Sequence, residues 1–429
     1  MSFLTETGEP GRSPSRTWWI CGLLMLATML NYMDRQTVSL SVERLYAEFG
    51  RSPESYGNTE AVFALAFALG SLLSGMIVDR FGVYWIYPGA VVVWSAAGFL
   101  TGFASNWHEL MACRFLLGIS EAAHWPCALR TTQHILAPHQ RSLGNGILQS
   151  GAAIGAIITP LIVLLLVTEP SRWRYPFWVI GILGLSWVWL WHGVVGRKDL
   201  PGAGIADRLK EKEAQASPGL SFLGVLASRK FVVLVVLVIT INAAWHFFRA
   251  WLTSFLHDTG YKEQDAILFN SAYYMAADAG SLSVGFVTLY VIRLGMTVHR
   301  ARMLAFLLCA LLVALSTMVP LLDPGWLQLG MLLVIGFGAL GLFPTYYSFG
   351  QELSVRHQGA VVGLLGCITW LSIALMQSEV GKAVQETGSH TRGMQSIGLA
   401  PLIGFVVLLL LWRNNKECLN AKANSSATS

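Results

Sequence analysis

Two long apolar stretches of this 429-residue chain carry adjacent or face-sharing charges of opposite sign. Asp34 and Arg35 fall within WWICGLLMLATMLNYMDRQTVSL, and Arg114 and Glu121 within ELMACRFLLGISEAAHWPCAL. A charge at mid-membrane costs roughly 2.5–3.5 kcal/mol on insertion scales, so it persists where it is paired, wetted or used. A guanidinium is a fork that matches a carboxylate with two parallel hydrogen bonds, whereas a buried carboxylate suits reversible protonation. The chemistry on offer is therefore the binding of an anion and the handling of protons.

Spacing groups these residues into stripes. In the first stretch Asn31, Asp34, Arg35 and Val38 recur at i, i+3, i+4 and i+7, one face of a helix, with Tyr32 three residues before Arg35. Arg35 reads as a carboxylate clamp and Asp34 as a proton-coupling acid; the competing reading is an internal salt bridge that fixes packing. Arg114, Gly118 and Glu121 repeat the pattern, with Arg114 and Glu121 two turns, about 10 Å, apart. Glu121 reads as a proton carrier that pairs with Arg35 or Arg114 when charged, and Arg114 as a charge-pair partner. Pro126 should loosen that helix. A third stripe holds Asn242, Trp245, His246 and Arg249. Indole, imidazole and guanidinium together suit a sugar acid: a face for the carbon chain, donors for hydroxyls, and a site for a second anionic group. Arg249 pairing structurally with Asp278 competes with that role, and His246 is open to either a titrating or a permanently neutral reading. Tyr346, Tyr347, Thr369, Trp370 and Gln377 are candidate hydroxyl-binding groups.

These stripes need membrane-spanning helices to hold them. Hydrophobic residues make up 54% of the chain and charged residues only 12%, about half the charge of a soluble domain. Twelve apolar runs of about 20 residues are predicted as spans: 17–41, 56–78, 84–104, 109–130, 143–167, 173–195, 230–256, 266–292, 300–320, 326–350, 358–380 and 394–412. In lipid such runs are helices. With both termini cytoplasmic, Lys and Arg divide about eighteen inside against seven outside, the expected positive-inside bias. The net charge of +5 reflects this topology and implies no nucleic-acid partner. The six cysteines form neither a CxxC nor a metal-ligand spacing. No nucleotide-binding loop is present, so an ion gradient is the expected energy source.

The organisation predicted is an N-terminal tail (1–16), a six-helix bundle (17–195), a cytoplasmic linker (196–229), a second six-helix bundle (230–413) and a disordered tail (414–429). HQRSLGNGILQSG before the fifth span and RHQGAVVGLLG before the eleventh suggest a duplication. Two six-helix halves related about the membrane normal describe the major facilitator architecture. GMIVDRFG (75–82) resembles that superfamily's cytoplasmic loop signature G-x-x-x-D-R-x-G, with Asp79 and Arg80 as its charge-pair residues. The basic residues that usually follow are Val83, Tyr84 and Trp85 here.

More specific segments are NYMDRQTVS, RFLLGISEAAHWPCAL, GAAIGAIITP, WRYPFWVIG and WHFFRAWL. Together they resemble the anion:cation symporter family, which includes hexuronate, galactonate and glucarate transporters and the sialic-acid and vesicular glutamate transporters. The resemblance implies substrate contact for Tyr32 and Arg35, and proton coupling for Asp34 and Glu121. Phe67 stands where galactonate-type members place a tyrosine, and Ala152 where they place a glutamine. The expectation is an all-α, twelve-helix secondary transporter, not an enzyme. It would take up a small sugar acid with protons by alternating access, need no cofactor, and sit as a monomer in a bacterial inner membrane. Sodium in place of protons stays open. So do another organic anion or phosphate, export instead of uptake, and a membrane sensor of sugar acids.

Overall fold

The computed structural model describes residues 14–136, 141–200, 222–351 and 358–412. The expected N-terminal tail, most of the linker and the C-terminal tail lie outside them. The helices are α1 (Pro14–Leu40), α2 (Val42–Phe49), α3 (Pro53–Phe81), α4 (Val83–Thr101), α5 (Trp107–Glu121), α6 (His124–Ile135), α7 (Arg141–Leu166) and α8 (Tyr175–Val194). After the short α9 (Phe222–Leu226) come α10 (Arg229–Asp258), α11 (Glu263–Arg293), α12 (Val298–Ala314), α13 (Trp326–Gln351), α14 (Gln358–Thr387) and α15 (Thr391–Leu411).

Ten helices among the described residues are long and apolar enough to cross a membrane. The two expected spans outside that set are 17–41 and 109–130, which carry Asp34 and Arg35, and Arg114 and Glu121. In α1, Arg16, Asp34 and Arg35 dilute the apolar run although the helix has 27 residues. The 109–130 span is divided at Ala122–Ala123 into α5 and α6. Pro126 lacks the N–H that would bond the carbonyl of Ala122, and its ring crowds that carbonyl, so the division falls one turn before the proline.

Packing repeats between the halves. The second long helix of the first half, α3, packs on α14, the fifth of the second half; the fifth of the first half, α7, packs on α11, the second of the second half. A two-fold relation between halves requires this pair of seams. Glycines permit the close approach: a Cβ on Gly155 of α7 would lie 2.5 Å from the Met29 carbonyl of α1. At the other turn of the superfamily loop, Gly82 adopts φ +81°, which only glycine accepts without strain, and so lets α3 reverse into α4.

The halves are joined firmly at one end of the bundle, where α1 finishes, α3 begins and α10 finishes. There a single apolar core runs from Val38, Leu45 and Tyr56 of the first half into Phe248, Trp251 and Phe255 of the second. Gly57 of α3 and Gly381 of α14 touch backbone to backbone; a Cβ on Gly381 would lie 2.7 Å from the Pro53 carbonyl. Tyr56 Oη donates to the Ala250 carbonyl at 2.7 Å, and Ser378 Oγ donates to Asn58 Oδ1 at 2.7 Å. At the rim, Arg51 donates twice from Nη2 to Asp258, at 2.7 and 2.8 Å, and Arg44 pairs with Glu263 at 3.1 Å.

Candidate functional site

A cavity of about 190 Å³ lies at mid-depth between the halves. Tyr32, Arg35 and Phe67 line it from the first half, and Asn242, Trp245, His246, Arg249, Tyr274, Tyr347 and Trp370 from the second. The volume is below the roughly 300–1,000 Å³ usual for drug-sized ligands, so a fitting ligand is small.

Arg35 is the centre of the first-half wall. It is 7% exposed, and its Nε donates to Glu121 Oε2 at 2.6 Å. Four rings surround the guanidinium: Phe67 at 4.7 Å, Phe63 and Trp370 at 5.5 Å, and Tyr32 at 5.6 Å. Such faces attract a cation, so the ring of Phe67 supports Arg35 without a hydroxyl. Arg35 Nη2 and Glu121 Oε1 have no protein partner. Arg35 thus keeps an unused donor in the cavity wall, while Glu121, with its free oxygen, stands behind the lining. Glu121 is the last residue of α5, where the negative end of the helix dipole disfavours its charge and makes the arginine's support more important. Asp34, expected on the same face of α1, instead lies outside the cavity lining and is buried against Gly98 of α4, where a Cβ would stand 2.8 Å from its Oδ1.

Arg114 does not face Glu121 as a partner. Its Nη2 donates to Glu60 Oε1 of α3 at 2.7 Å, and both residues are fully enclosed. The second oxygen of Glu60 accepts from Arg249 of α10, so one carboxylate joins two guanidiniums and ties the halves together. The possible Arg249–Asp278 pairing is therefore replaced by Arg249–Glu60; Asp278 Oδ2 is buried without a protein partner. Helix register explains the difference. At 1.5 Å per residue Arg249 lies about 13 Å from the end of α10 and Glu60 about 10 Å from the start of α3, while Asp278 lies about 22 Å along α11. Only Glu60 shares the depth of Arg249.

Arg249 Nε donates to His246 Nδ1 at 3.2 Å. That bond needs a lone pair on Nδ1, so the imidazole is neutral with its proton on Nε2. The ring stacks edge-on against Trp370 at 5.0 Å. Trp245 packs against Tyr274 at 5.6 Å. The expected site residues Tyr32, Arg35, Trp245, His246, Arg249 and Trp370 thus meet in one cavity. Of the two expected tyrosines Tyr347 lines the cavity and Tyr346 does not, and Thr369 Oγ1 donates to the Leu365 carbonyl of its own helix. Gln377 stands behind the wall, accepting from Trp251 Nε1 at 2.7 Å and donating to the His246 carbonyl at 3.2 Å. Arg80 is exposed at the end of α3 beside Phe81, and the Asp79 side chain lies outside the described residues.

Two residues that sequence reading passed over are Glu60 and His124. His124, at the start of α6, is fully buried between Tyr87 Oη and Thr28 Oγ1, each at 3.0 Å, and holds α6 against α4 and α1.

A membrane bundle with two inter-half seams and a charged cavity between the halves is the architecture of a membrane transporter. Residues 24–376 match the Major Facilitator Superfamily model, and the chain belongs to that superfamily. It is a multi-pass membrane transporter and not an enzyme. Relatives include the hexuronate transporter of Escherichia coli K12, 24% identical over 92% of this chain and 94% of that protein. The D-galactonate transporter of Escherichia coli O6:H1 is 24% identical over 96% and 98%, and the probable sulfoacetate transporter of Cupriavidus necator 26% over 86% and 88%. Among solved structures, the inward-open xylose transporter of E. coli superposes with TM-score 0.73 at 16% identity, covering 92% of this chain and 96% of that one. The resemblance drawn from the sequence motifs therefore stands, and the solved-structure likeness supports the fold.

Proposed function

We propose that the protein takes up a small sugar acid, a hexuronate, aldonate or aldarate, together with protons. Arg35 would hold the substrate carboxylate, and Asp34 and Glu121 would carry the coupled protons. The observation that carries this reading is the buried Arg35–Glu121 pair at the cavity wall: the anion site already holds a carboxylate that a substrate must displace. A displaced, buried Glu121 left charged without its partner is costly, so proton uptake and substrate binding favour one another. The aromatic and amide groups around Arg35, among them Trp245, Trp370 and Asn242, suit a hydroxylated carbon chain. Relatives named for hexuronate, galacturonate and galactonate transport support the substrate class.

In this reading both termini are cytoplasmic, the membrane is a bacterial inner membrane, and the firmly joined end of the bundle faces outward. Outside, protonation frees Arg35 for the substrate; inside, proton loss from Glu121 restores the pair and expels it. The test is uptake of labelled hexuronates, aldonates and aldarates into proteoliposomes under an imposed pH gradient. Accumulation that requires the gradient and collapses in Arg35→Ala is the expected result. Gradient-independent equilibration of every acid, or transport unchanged in Arg35→Ala, would refute it.

A further inference from the structure

Glu60 is an ionisable group that the uptake mechanism leaves without a task. It is 1% exposed, seated two turns inside α3, with Oε1 on Arg114 of α5 and Oε2 on Arg249 of α10. Two guanidiniums share one carboxylate, so Arg249 holds a single carboxylate oxygen, and a second anion beside it would give it a partner of its own. The Arg35–Glu121 pair is different, one guanidinium to one carboxylate.

Arg249 also lines the cavity that Arg35 lines, and its Nη1 has no protein partner, as Nη2 of Arg35 has none. The cavity therefore presents two guanidiniums, one from each half of the molecule, each occupied on one edge by a carboxylate of the protein. Because Glu60 uses separate oxygens for its two arginines, releasing Oε2 leaves Oε1 held by Arg114. Glu60 can thus give up Arg249 without becoming an unpaired buried charge.

We propose that Glu60 is a built-in stand-in for the second acid group of a dicarboxylic substrate, which takes Glu60's place on Arg249 while its first carboxylate takes Arg35. This rests on the sugar-acid reading of the cavity and narrows it to acids charged at both ends. With the ligand bound, Arg114 keeps Glu60 and Arg249 has the ligand's second carboxylate, so each guanidinium has a carboxylate of its own.

The experiment compares two acids that share a six-carbon chain, galactarate with two carboxylates and galacturonate with one. Binding to the purified full-length protein is followed by tryptophan fluorescence, since Trp245 and Trp370 line the site. Wild-type protein is expected to bind galactarate at least about tenfold more tightly, the worth of one charge-assisted contact. Arg249→Gln should erase that preference, and Glu60→Gln, which removes the competitor, should tighten galactarate. If a single variant does not yield folded protein, the double variant Glu60→Gln/Arg249→Gln removes one charge of each sign, leaves the net charge unchanged and should also lose the preference. Equal wild-type affinities, equal loss of both acids in Arg249→Gln, or a preference that survives in the double variant would each overturn the proposal. Folded wild-type protein that binds neither acid would instead sink the sugar-acid reading, and this proposal with it.

Discussion

Replacing Glu121 by Gln separates binding from coupling. The side chain keeps its shape and can still accept from Arg35, but it neither carries a charge nor exchanges a proton. In the proposed mechanism a substrate carboxylate competes with Glu121 for a guanidinium that holds it at 2.6 Å in an enclosed site. A hydrogen bond between charged groups contributes about 1.5–3 kcal/mol, so removing the competitor's charge should tighten substrate binding roughly 10- to 100-fold. Coupling moves the other way. One proton carried with a monoanion across a gradient of about two pH units supplies about 2.7 kcal/mol, enough for about 100-fold accumulation. In Glu121→Gln that ratio should fall to about one, while exchange of labelled for unlabelled substrate across the membrane persists. Proteoliposomes loaded at high internal pH and diluted into acidic buffer measure both quantities. Accumulation of wild-type size in the variant would remove Glu121 from coupling; weaker binding in the variant would remove it as the competitor for Arg35.

Further outcomes follow from the same geometry. Arg35→Ala strands the Glu121 carboxylate in an enclosed site, a loss of about 3–5 kcal/mol, and thermal unfolding in detergent should register it along with lost binding. Gly57→Val puts a Cβ into the backbone of α14, so it should wedge the joined end apart. Impermeant maleimide labelling of a cysteine placed at the buried Ser254, in a background without native cysteines, should then rise; unchanged labelling would contradict the seam. Breaking the rim with Arg51→Ala should change stability by less than about 1 kcal/mol, because that arginine is half exposed. His390, just outside α15, is pushed by burial from 6.5 down to about 4, against a smaller opposing pull from Asp258, with Arg51 adding to the depression. Its neutral form is the one the fold accommodates, so its contribution is complete above pH 6.5 and lost as pH falls toward 4. The loss amounts to about 3 kcal/mol at most, and His390→Gln should flatten the low-pH decline in unfolding temperature.

The stripe on α10 was legible because a period of three and four residues needs only the sequence. On α1 the cavity face is instead Tyr32, Arg35 and Gln36, and of the expected Asn31, Asp34, Arg35 and Val38 only Arg35 lies on it. Arg35, Trp245, His246 and Arg249 meet in one cavity as that period implies. What the pattern does not contain is the relative depth of different helices, and here the pairings diverged. Arg114 and Glu121 share a face of α5 yet take separate partners, Glu60 and Arg35. Glu60 escaped notice because the second apolar run was read from residue 56, which makes an acid four residues later look like an interfacial charge. The helix in fact begins at Pro53, with Ser52 Oγ accepting from the Ser55 N–H as its cap. That Ser-Pro start is itself a readable signal. Setting the boundary there would have placed Glu60 two turns inside the helix, at the depth of Arg249.

The two carboxylate–arginine pairs differ in what their exchange does to the molecule. Arg35 and Glu121 both belong to the first half, so a ligand that replaces Glu121 alters the charge of one wall and leaves the seam untouched. Arg249 and Glu60 belong to opposite halves, and their bond lies between the cavity and the joined end where Gly57 meets Gly381. Opening that end must separate α3 from α10, and therefore must break this bond. A ligand carboxylate that already occupies Arg249 lowers the cost of the separation, because the arginine keeps a partner when Glu60 moves away. An acid with a single carboxylate, held by Arg35 alone, offers no such relief. Discrimination between the two kinds of acid would then show in the rate of opening as well as in affinity, and Glu60→Gln, which weakens the bond for either substrate, should narrow the difference in rate.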